Sequence, residues 1–331
     1  MKKIISLCLI FVILMFGLIF KSCGGGDTIV IYTSTEDYNM ELLQKRLDEA
    51  FPNYNIVVEY VSTSNITTKV IEEGSNCECD IIYHQEYTQL DMMIKADVLA
   101  NIEGQFDFSV FDDSTILERN KNYLIPTIRS GGAVIINKKV LADNNLPKPT
   151  SYEDLLSPKY KGLLSMPSPK SSSTGYMFYL ALVNAWGESK ALEYFDKYAE
   201  NIIQFTSSGS GPVNALTNRE AAVGFGMIAQ AADKITAGNN ELEILFFDEG
   251  APYALYGTSI VKGKETKKGV LEVMDYIHKN YINEACQKFY PELILKDKQY
   301  EVKNFPKNIL YANMDNNTLE KRDDLLNKWK Y

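Results

Sequence analysis

Four consecutive hydroxyl residues, Ser171, Ser172, Ser173 and Thr174, precede Gly175 and an apolar, helix-like run ending at Trp186. One Ser or Thr is enough to satisfy an orphan N–H at a helix start. Four hydroxyls beside a glycine also suit an anion, because a helix N-terminus presents free N–H groups and partial positive charge. Cap and anion cradle therefore both remain open. A similar stretch, Ser207-Ser208-Gly209-Ser210-Gly211, opens another helical pattern, and Ser34 and Thr35 follow the first strand-like run. The other titratable candidates are sparse. Only two histidines occur, His84 and His278, too few for a His-rich metal site or a Ser-His-Asp hydrolase. The chain contains no HExxH and no GxSxG pattern. Binding is expected rather than catalysis, with no cofactor and no metal.

The elements that would hold these residues follow from the patterning. Thr28 to Tyr32 is β-branched and aromatic, Glu41 to Phe51 has helical spacing, and Asn55 to Val61 reads as a second strand. A helix over Thr67 to Glu73 leads to a third strand, DIIY, ending in a loop with His84, Gln85 and Glu86. This alternation predicts a parallel sheet with ligands beyond the carboxyl ends of its strands. Tyr123 to Thr127 and Gly132 to Asn137 read as two strands flanking Arg129-Ser130-Gly131, a crossing point between lobes. A helix capped by Ser151, a helix over Ser189 to Glu200, the strands IIQFT and AAVGFGM, and two strands within ILFFDEGAPYALYGTSIVKG complete a second βα lobe. The remainder is expected to be mostly helical.

At 331 residues and 45% hydrophobic, the chain can bury the cores of two lobes. A formal charge of −9 argues against nucleic acid as a partner. Lys2 and Lys3 precede an apolar run from Ile4 to Phe20, interrupted only by Ser6 and Gly17, and Ser22-Cys23 then leads into three glycines. That order resembles a bacterial lipoprotein signal, although Phe20 and Lys21 depart from its usual approach to the cleavage point. It implies a signal peptide over 1–22, lipid attachment at Cys23 and a linker over 23–27; the alternatives are an uncleaved anchor and simple secretion. In an exported domain, Cys77, Cys79 and Cys286 are expected to be structural or free thiols, with a bridge from Cys77 or Cys79 to Cys286 as the alternative.

Taken in order, IVIYTST, EEGSNCECDIIY, IRSGGAVIINKKVL, PKPTSYEDLLSPKYKGLLSMPSPKSSSTGY, SSGSGPVNALTNREAAVGFG and RDDLLNKW resemble the extracellular solute-binding proteins of ABC importers. The resemblance is to the type II periplasmic-binding branch that takes ferric iron, 2-aminoethylphosphonate or hexose phosphates. It implies two α/β lobes, each a mixed, mostly parallel sheet flanked by helices and joined by crossing strands. The lobes would be 28–126 with 258–331, and 127–257. It further implies an exported monomer, anchored to the membrane by its lipid, that closes on a small solute and docks on an ABC permease. A surface sensor of the same fold is the third option.

Iron binders of this branch use two adjacent tyrosines after the strand resembling AAVGFG. Here Met227, Ile228, Ala229 and Gln230 stand there, and none of the 21 tyrosines is adjacent to another. A phosphorylated solute fits the residues better, with ferric iron as the alternative. The resemblance assigns ligand contact to Ser172, Ser173, Thr174, Ser208, Gly209 and Ser210, and Ser34 and Thr35 are the candidate donors of the first lobe. Arg129 adds a candidate charge-assisted bond. Glu249 is a candidate for sugar hydroxyls or an ammonium group, and His84, Gln230 and Tyr253 are candidates to shape the pocket.

Overall fold

The computed structural model describes residues 28–331 apart from Arg119 and Leu293, so the predicted leader, Cys23 and the linker lie outside the described residues. Among the described residues no helix is long and apolar enough to cross a membrane.

Strand β1 (Thr28–Thr33) pairs in parallel with β2 (Asn55–Tyr60) and β3 (Ile81–Glu86). Parallel neighbours need crossovers, and helices α1 (Asp37–Ala50) and α2 (Thr63–Glu73) supply them. Leu43 and Leu47, one turn apart on α1, are fully buried in the same core as Ile29 and Ile31 of β1. Helix α3 (Tyr87–Lys95) leaves β3 directly.

The thirteen-residue strand β4 (Ile125–Asn137) is buried at every position except Arg129. Its first half pairs antiparallel with β9 (Tyr253–Ile260), from Ile125↔Thr258 to Gly131↔Tyr253, and β9 in turn pairs with β3. From Gly132 onward β4 pairs instead with β7 (Val223–Met227), and from Val134 also with β8 (Leu242–Leu245). Parallel strands β5 (Leu164–Pro167) and β6 (Ile202–Thr206) extend that second half. The order β2-β1-β3-β9-β4-β7-β5-β6 thus runs through β4, which belongs to both halves. Pro126 has no N–H to give a ladder, and it sits where the register with β9 shifts between Pro126 and Ile128.

Helices α4 (Lys138–Asp143), α5 (Ser173–Trp186), α6 (Glu188–Tyr198), α7 (Gly211–Thr217) and α8 (Ile228–Thr236) flank the second half. Every residue of α5 from Ser173 to Val183 is buried, as expected for a helix that is apolar all round. Helices α9 (Val270–Tyr276) and α10 (Ile282–Lys288) are joined by a π turn, and α11 (Leu319–Lys328) ends the chain. After α11, Trp329 packs on Tyr179, Phe195 and Phe205, at ring separations of 5.1, 5.1 and 5.4 Å. The last residues of the range 258–331 therefore lie on the helices of the second half-sheet.

Several sequence expectations are corrected. Arg129-Ser130-Gly131 does not separate two strands, because β4 runs through it as one. His84, Gln85 and Glu86 belong to β3 rather than to a loop. The segment after Ser151 forms two short 3-10 turns, Glu153–Leu156 and Pro158–Tyr160. Among the described residues of 289–318 there is no helix, the segment being tied down by the bridges Phe111↔Leu295 and Ala251↔Tyr311. Cys77, Cys79 and Cys286 are buried free thiols, so neither bridge to Cys286 forms.

Gly175 lets the first turn of α5 approach the end of β5, since a Cβ there would lie 2.3 Å from the Pro167 carbonyl oxygen. Gly175→Ala is expected to destabilise the fold by about 1–3 kcal/mol. That would appear as a lower urea midpoint at an unchanged m-value, and an unmoved midpoint would contradict the packing described.

Candidate functional site

The carboxyl ends of the parallel strands in the two half-sheets face each other, and a pocket forms between them. From the first half come Ser34 and Glu36 after β1, Tyr60 at the end of β2 with Ser62 and Thr63 after it, and His84 in β3. From the second come Ser171 to Thr174 after β5, Ser207 to Ser210 after β6, and Met227 at the end of β7. Tyr256 of β9 lines the pocket between them.

Five helices begin at this pocket. The N-cap residues of α1, α2, α5, α7 and α8 are Glu36, Ser62, Ser172, Ser210 and Met227, and none of their side chains makes a capping hydrogen bond. Away from the pocket the helices divide: Glu86 accepts from Gln89 N at α3, Asn137 accepts from Lys139 N and Val140 N at α4, and Thr318 accepts from Lys321 N at α11, whereas α6, α9 and α10 start without a side-chain cap. The helix starts lining the pocket thus keep N–H groups and partial positive charge without a side-chain acceptor. Plain capping by Ser172 is not what the structure contains.

The second-half loops are packed onto each other. A Cβ on Gly209 would lie 2.4 Å from Thr174 Oγ1 and 3.3 Å from Ser172 Oγ, so only glycine lets the Ser207–Ser210 loop lie against the start of α5. Gln230, from α8, donates to the Ser210 carbonyl at 3.2 Å and to Asn214 Oδ1 at 3.1 Å, bracing that loop from behind. Contacts also cross between the halves: Ser64 Oγ donates to the Lys170 carbonyl at 2.8 Å. Ser173 Oγ and the Tyr256 hydroxyl are 3.0 Å apart. The enclosed space is only about 10 Å³, room for about one water.

His84 is the unusual backbone residue of the site, with φ +59° at the point where the β3 register with β9 shifts between Ile82 and Gln85. A bulge of this kind re-aims a side chain, and the His84 ring stacks on Tyr256 with centroids 4.3 Å apart. Its Nδ1 is buried without a hydrogen-bond partner, as is Ser171 Oγ. Burial pushes the imidazole pKa down to about 3, so the ring is neutral at pH 7.

The pocket's charge is carried by Glu36, since among the described residues no lysine or arginine lines it. Glu36 Oε2 accepts from the Tyr290 hydroxyl at 3.2 Å, and Tyr290 in turn is held by Asn39 Nδ2 at 3.2 Å. Burial raises the carboxyl pKa against the pull of these hydrogen bonds.

Of the residues singled out in the sequence, Ser34, His84, Ser172, Ser173, Thr174, Ser208, Gly209 and Ser210 come together here. The others do not. Thr35 is fully buried, its Oγ1 accepting from Asn39 Nδ2 at 2.8 Å. Arg129 lies between the rings of Tyr253 and Tyr311, 5.6 and 4.7 Å from their centroids, which removes both Arg129 and Tyr253 from the pocket. Glu249 accepts from Trp186 Nε1 at 3.0 Å in a different cavity, and Gln230 acts only through the Ser210 loop. Sequence reasoning missed Glu36, Tyr60, Ser62 and Tyr256. Glu36 directly follows Ser34-Thr35 and was within reach, whereas Tyr256 is brought in by β9 pairing that no local pattern encodes.

A sequence profile of the family described as bacterial extracellular solute-binding protein matches residues 79–322. A curated relative, the phosphoglycerate transport regulatory protein PgtC of Salmonella typhimurium, is 23% identical over 152 residues. That match covers 45% of this chain, and the chain spans 36% of the length of that relative. A solved structure of the periplasmic binding protein P5PA superposes with a TM-score of 0.81 at 20% identity, covering 92% of this chain and 98% of that one. The periplasmic binding protein AfuA from Actinobacillus pleuropneumoniae, solved with fructose-6-phosphate, superposes with a TM-score of 0.77 at 22% identity and the same coverage. At these identities the superpositions establish a shared fold.

His84 yields a pH prediction. Its folded pKa lies below the unfolded value of 6.5, so the unfolded state binds the extra proton, and stability falls as pH drops from 6.5 toward 3. The contribution is at most about 5 kcal/mol. His84→Gln is expected to flatten the loss of urea stability between pH 7 and pH 4, and an unchanged pH slope would show that His84 does not titrate as a buried neutral ring.

Proposed function

The chain belongs to the family of bacterial extracellular solute-binding proteins, and from that membership we propose that it captures a small phosphate- or phosphonate-bearing solute for an ABC permease. The observation that carries the reading is the set of five helix starts at one pocket, each without a side-chain cap, surrounded by serine and threonine hydroxyls. Such groups supply the many donors that a phosphoryl or phosphonyl oxygen set needs, without a cation. Two lobes, 28–126 with 258–318 and 127–257 with the last residues that pack on it, would part about β4 and β9 to admit the solute and close on it, ligand contacts to both rims favouring the closed form. Export by residues 1–22 and lipid attachment at Cys23 would hold the protein, as a monomer, beside its permease.

Glu36 supports the choice between two solutes. A carboxylate in a pocket without lysine or arginine disfavours a bare dianion and favours a ligand that also carries an ammonium group. The role that the sequence suggested for Glu249 passes in this reading to Glu36, and 2-aminoethylphosphonate fits better than a hexose phosphate. Binding rather than catalysis is supported by the partner of Ser173, which is the Tyr256 hydroxyl and not a base.

Thermal unfolding of the full-length protein in a non-ionic detergent tests the reading against 2-aminoethylphosphonate, propylphosphonate, glucose 6-phosphate, inorganic phosphate and ferric citrate. A true ligand at about 100 times its Kd adds roughly 2.7 kcal/mol of stability. Stabilisation by ferric ion alone would sink the proposal. Ser173→Ala and Ser208→Ala are each expected to weaken the ligand by about 0.5–1.5 kcal/mol, and unchanged affinity in both would remove the hydroxyls from the site. Glu36→Gln should erase the preference for 2-aminoethylphosphonate over propylphosphonate; if the wild type shows no such preference, the assignment to Glu36 falls.

A further inference from the structure

A second cavity, of about 210 Å³, opens beside α5, α6 and the 3-10 turn Glu153–Leu156, and shares no lining residue with the hydroxyl pocket. Three aromatic side chains form it. Tyr152 packs edge to face on Trp186 and on Tyr194, with centroids 5.8 and 6.0 Å apart, and Trp186 meets Tyr194 at 5.2 Å. Tyr152 and Tyr194 are 3% and 5% exposed, and the Tyr194 hydroxyl is buried without a hydrogen-bond partner. Glu249 completes the lining, its carboxylate fixed by the Trp186 indole N–H at 3.0 Å. Its negative charge adds to burial in pushing the phenols of Tyr152 and Tyr194 up.

The cavity already contains a cation on an aromatic face. Lys190 Nζ stands 5.1 Å from the centre of the Trp186 ring, at the end of an exposed side chain with no ion-pair partner among the described residues. The second lysine of the lining, Lys197, is paired with Glu193 at 2.8 Å. An anion would meet Glu249 and find the indole N–H taken, whereas a cation that displaced the Lys190 ammonium would meet the Trp186 ring face and a carboxylate, the combination that holds quaternary and primary ammonium groups. The volume is below the roughly 300–1,000 Å³ of sites for drug-sized ligands, which restricts the occupant to a small head group.

We propose that this cavity is a second ligand site, which binds a small organic cation of the alkylammonium class over Trp186, with Glu249 as its counter-ion, in place of the Lys190 ammonium. The proposal does not depend on which solute the hydroxyl pocket takes.

The probe is tetramethylammonium chloride, titrated into the full-length protein in a non-ionic detergent and read by tryptophan fluorescence, with sodium chloride at equal ionic strength as control. Trp186 is one of only two tryptophans, so occupancy has a direct reporter. A saturable change is expected, with the half-saturating concentration raised about fivefold or more by Glu249→Gln. A curve that tracks sodium chloride, or one that Glu249→Gln leaves unmoved, overturns the proposal. Should Glu249→Gln fail to fold, the exposed Lys190→Ala variant decides: tighter binding supports a ligand that takes the lysine's place, and the absence of tightening overturns it.

Discussion

Strand β4 must hydrogen-bond to β9 along its first half and to β7 and β8 along its second, and the rest of the architecture depends on that double obligation. One continuous backbone ladder passing between two half-sheets fixes their relative placement far more tightly than a flexible linker would. It also sets the carboxyl ends of β1, β2 and β3 opposite those of β5, β6 and β7. The strand is buried on both sides, so its polar residues need local partners. Thr127 finds the Thr258 hydroxyl at 2.7 Å across the β4–β9 pair, and Arg129 finds two tyrosine rings.

The pocket inherits its chemistry from that placement. A crossover helix in a parallel sheet starts at the carboxyl end of a strand, so several helix starts gather wherever two such rims meet. Side-chain caps would consume their donors. Helices α3, α4 and α11 have such caps, and none of the five helix starts at the pocket does. The resulting electrostatics are those of oriented dipoles and hydroxyls around one buried carboxylate, with the single histidine held neutral by burial. A site of that kind discriminates by geometry and by the sign of the group beside Glu36 rather than by bulk attraction, which is compatible with a strongly acidic chain.

Much of this was legible in the residues. Period-2 and helical patterning located β1, α1, β2 and α6 within a few residues, and the hydroxyl stretches at 171–174 and 207–210 announced two walls of the pocket through composition alone. Where local reading failed, long-range structure had overridden it. Helix α2 starts at Thr63 rather than Thr67 because Thr63, Ile66 and Thr67 are buried there, although Thr, Ser and Asn are poor helix formers in isolation. Arg129-Ser130-Gly131 read as a break, because a polar residue inside a central strand makes sense only once its aromatic partners are known. Tyr256 and the seat of Glu36 depend on strand register and on Tyr290, more than 200 residues away along the chain. Glu249 was expected at the solute, facing sugar hydroxyls or an ammonium group, yet the loop that bears it points at Trp186 instead of the hydroxyl pocket.

The central claim, that the pocket between the two half-sheets holds a phosphoryl or phosphonyl group, is tested most directly by phosphorus NMR. Titrating the full-length protein into 2-aminoethylphosphonate should broaden and shift the ligand's single phosphorus resonance to saturation at one equivalent, with Ser173→Ala reducing the effect. A resonance that stays sharp and unmoved at millimolar protein, while the protein remains folded, would contradict the account.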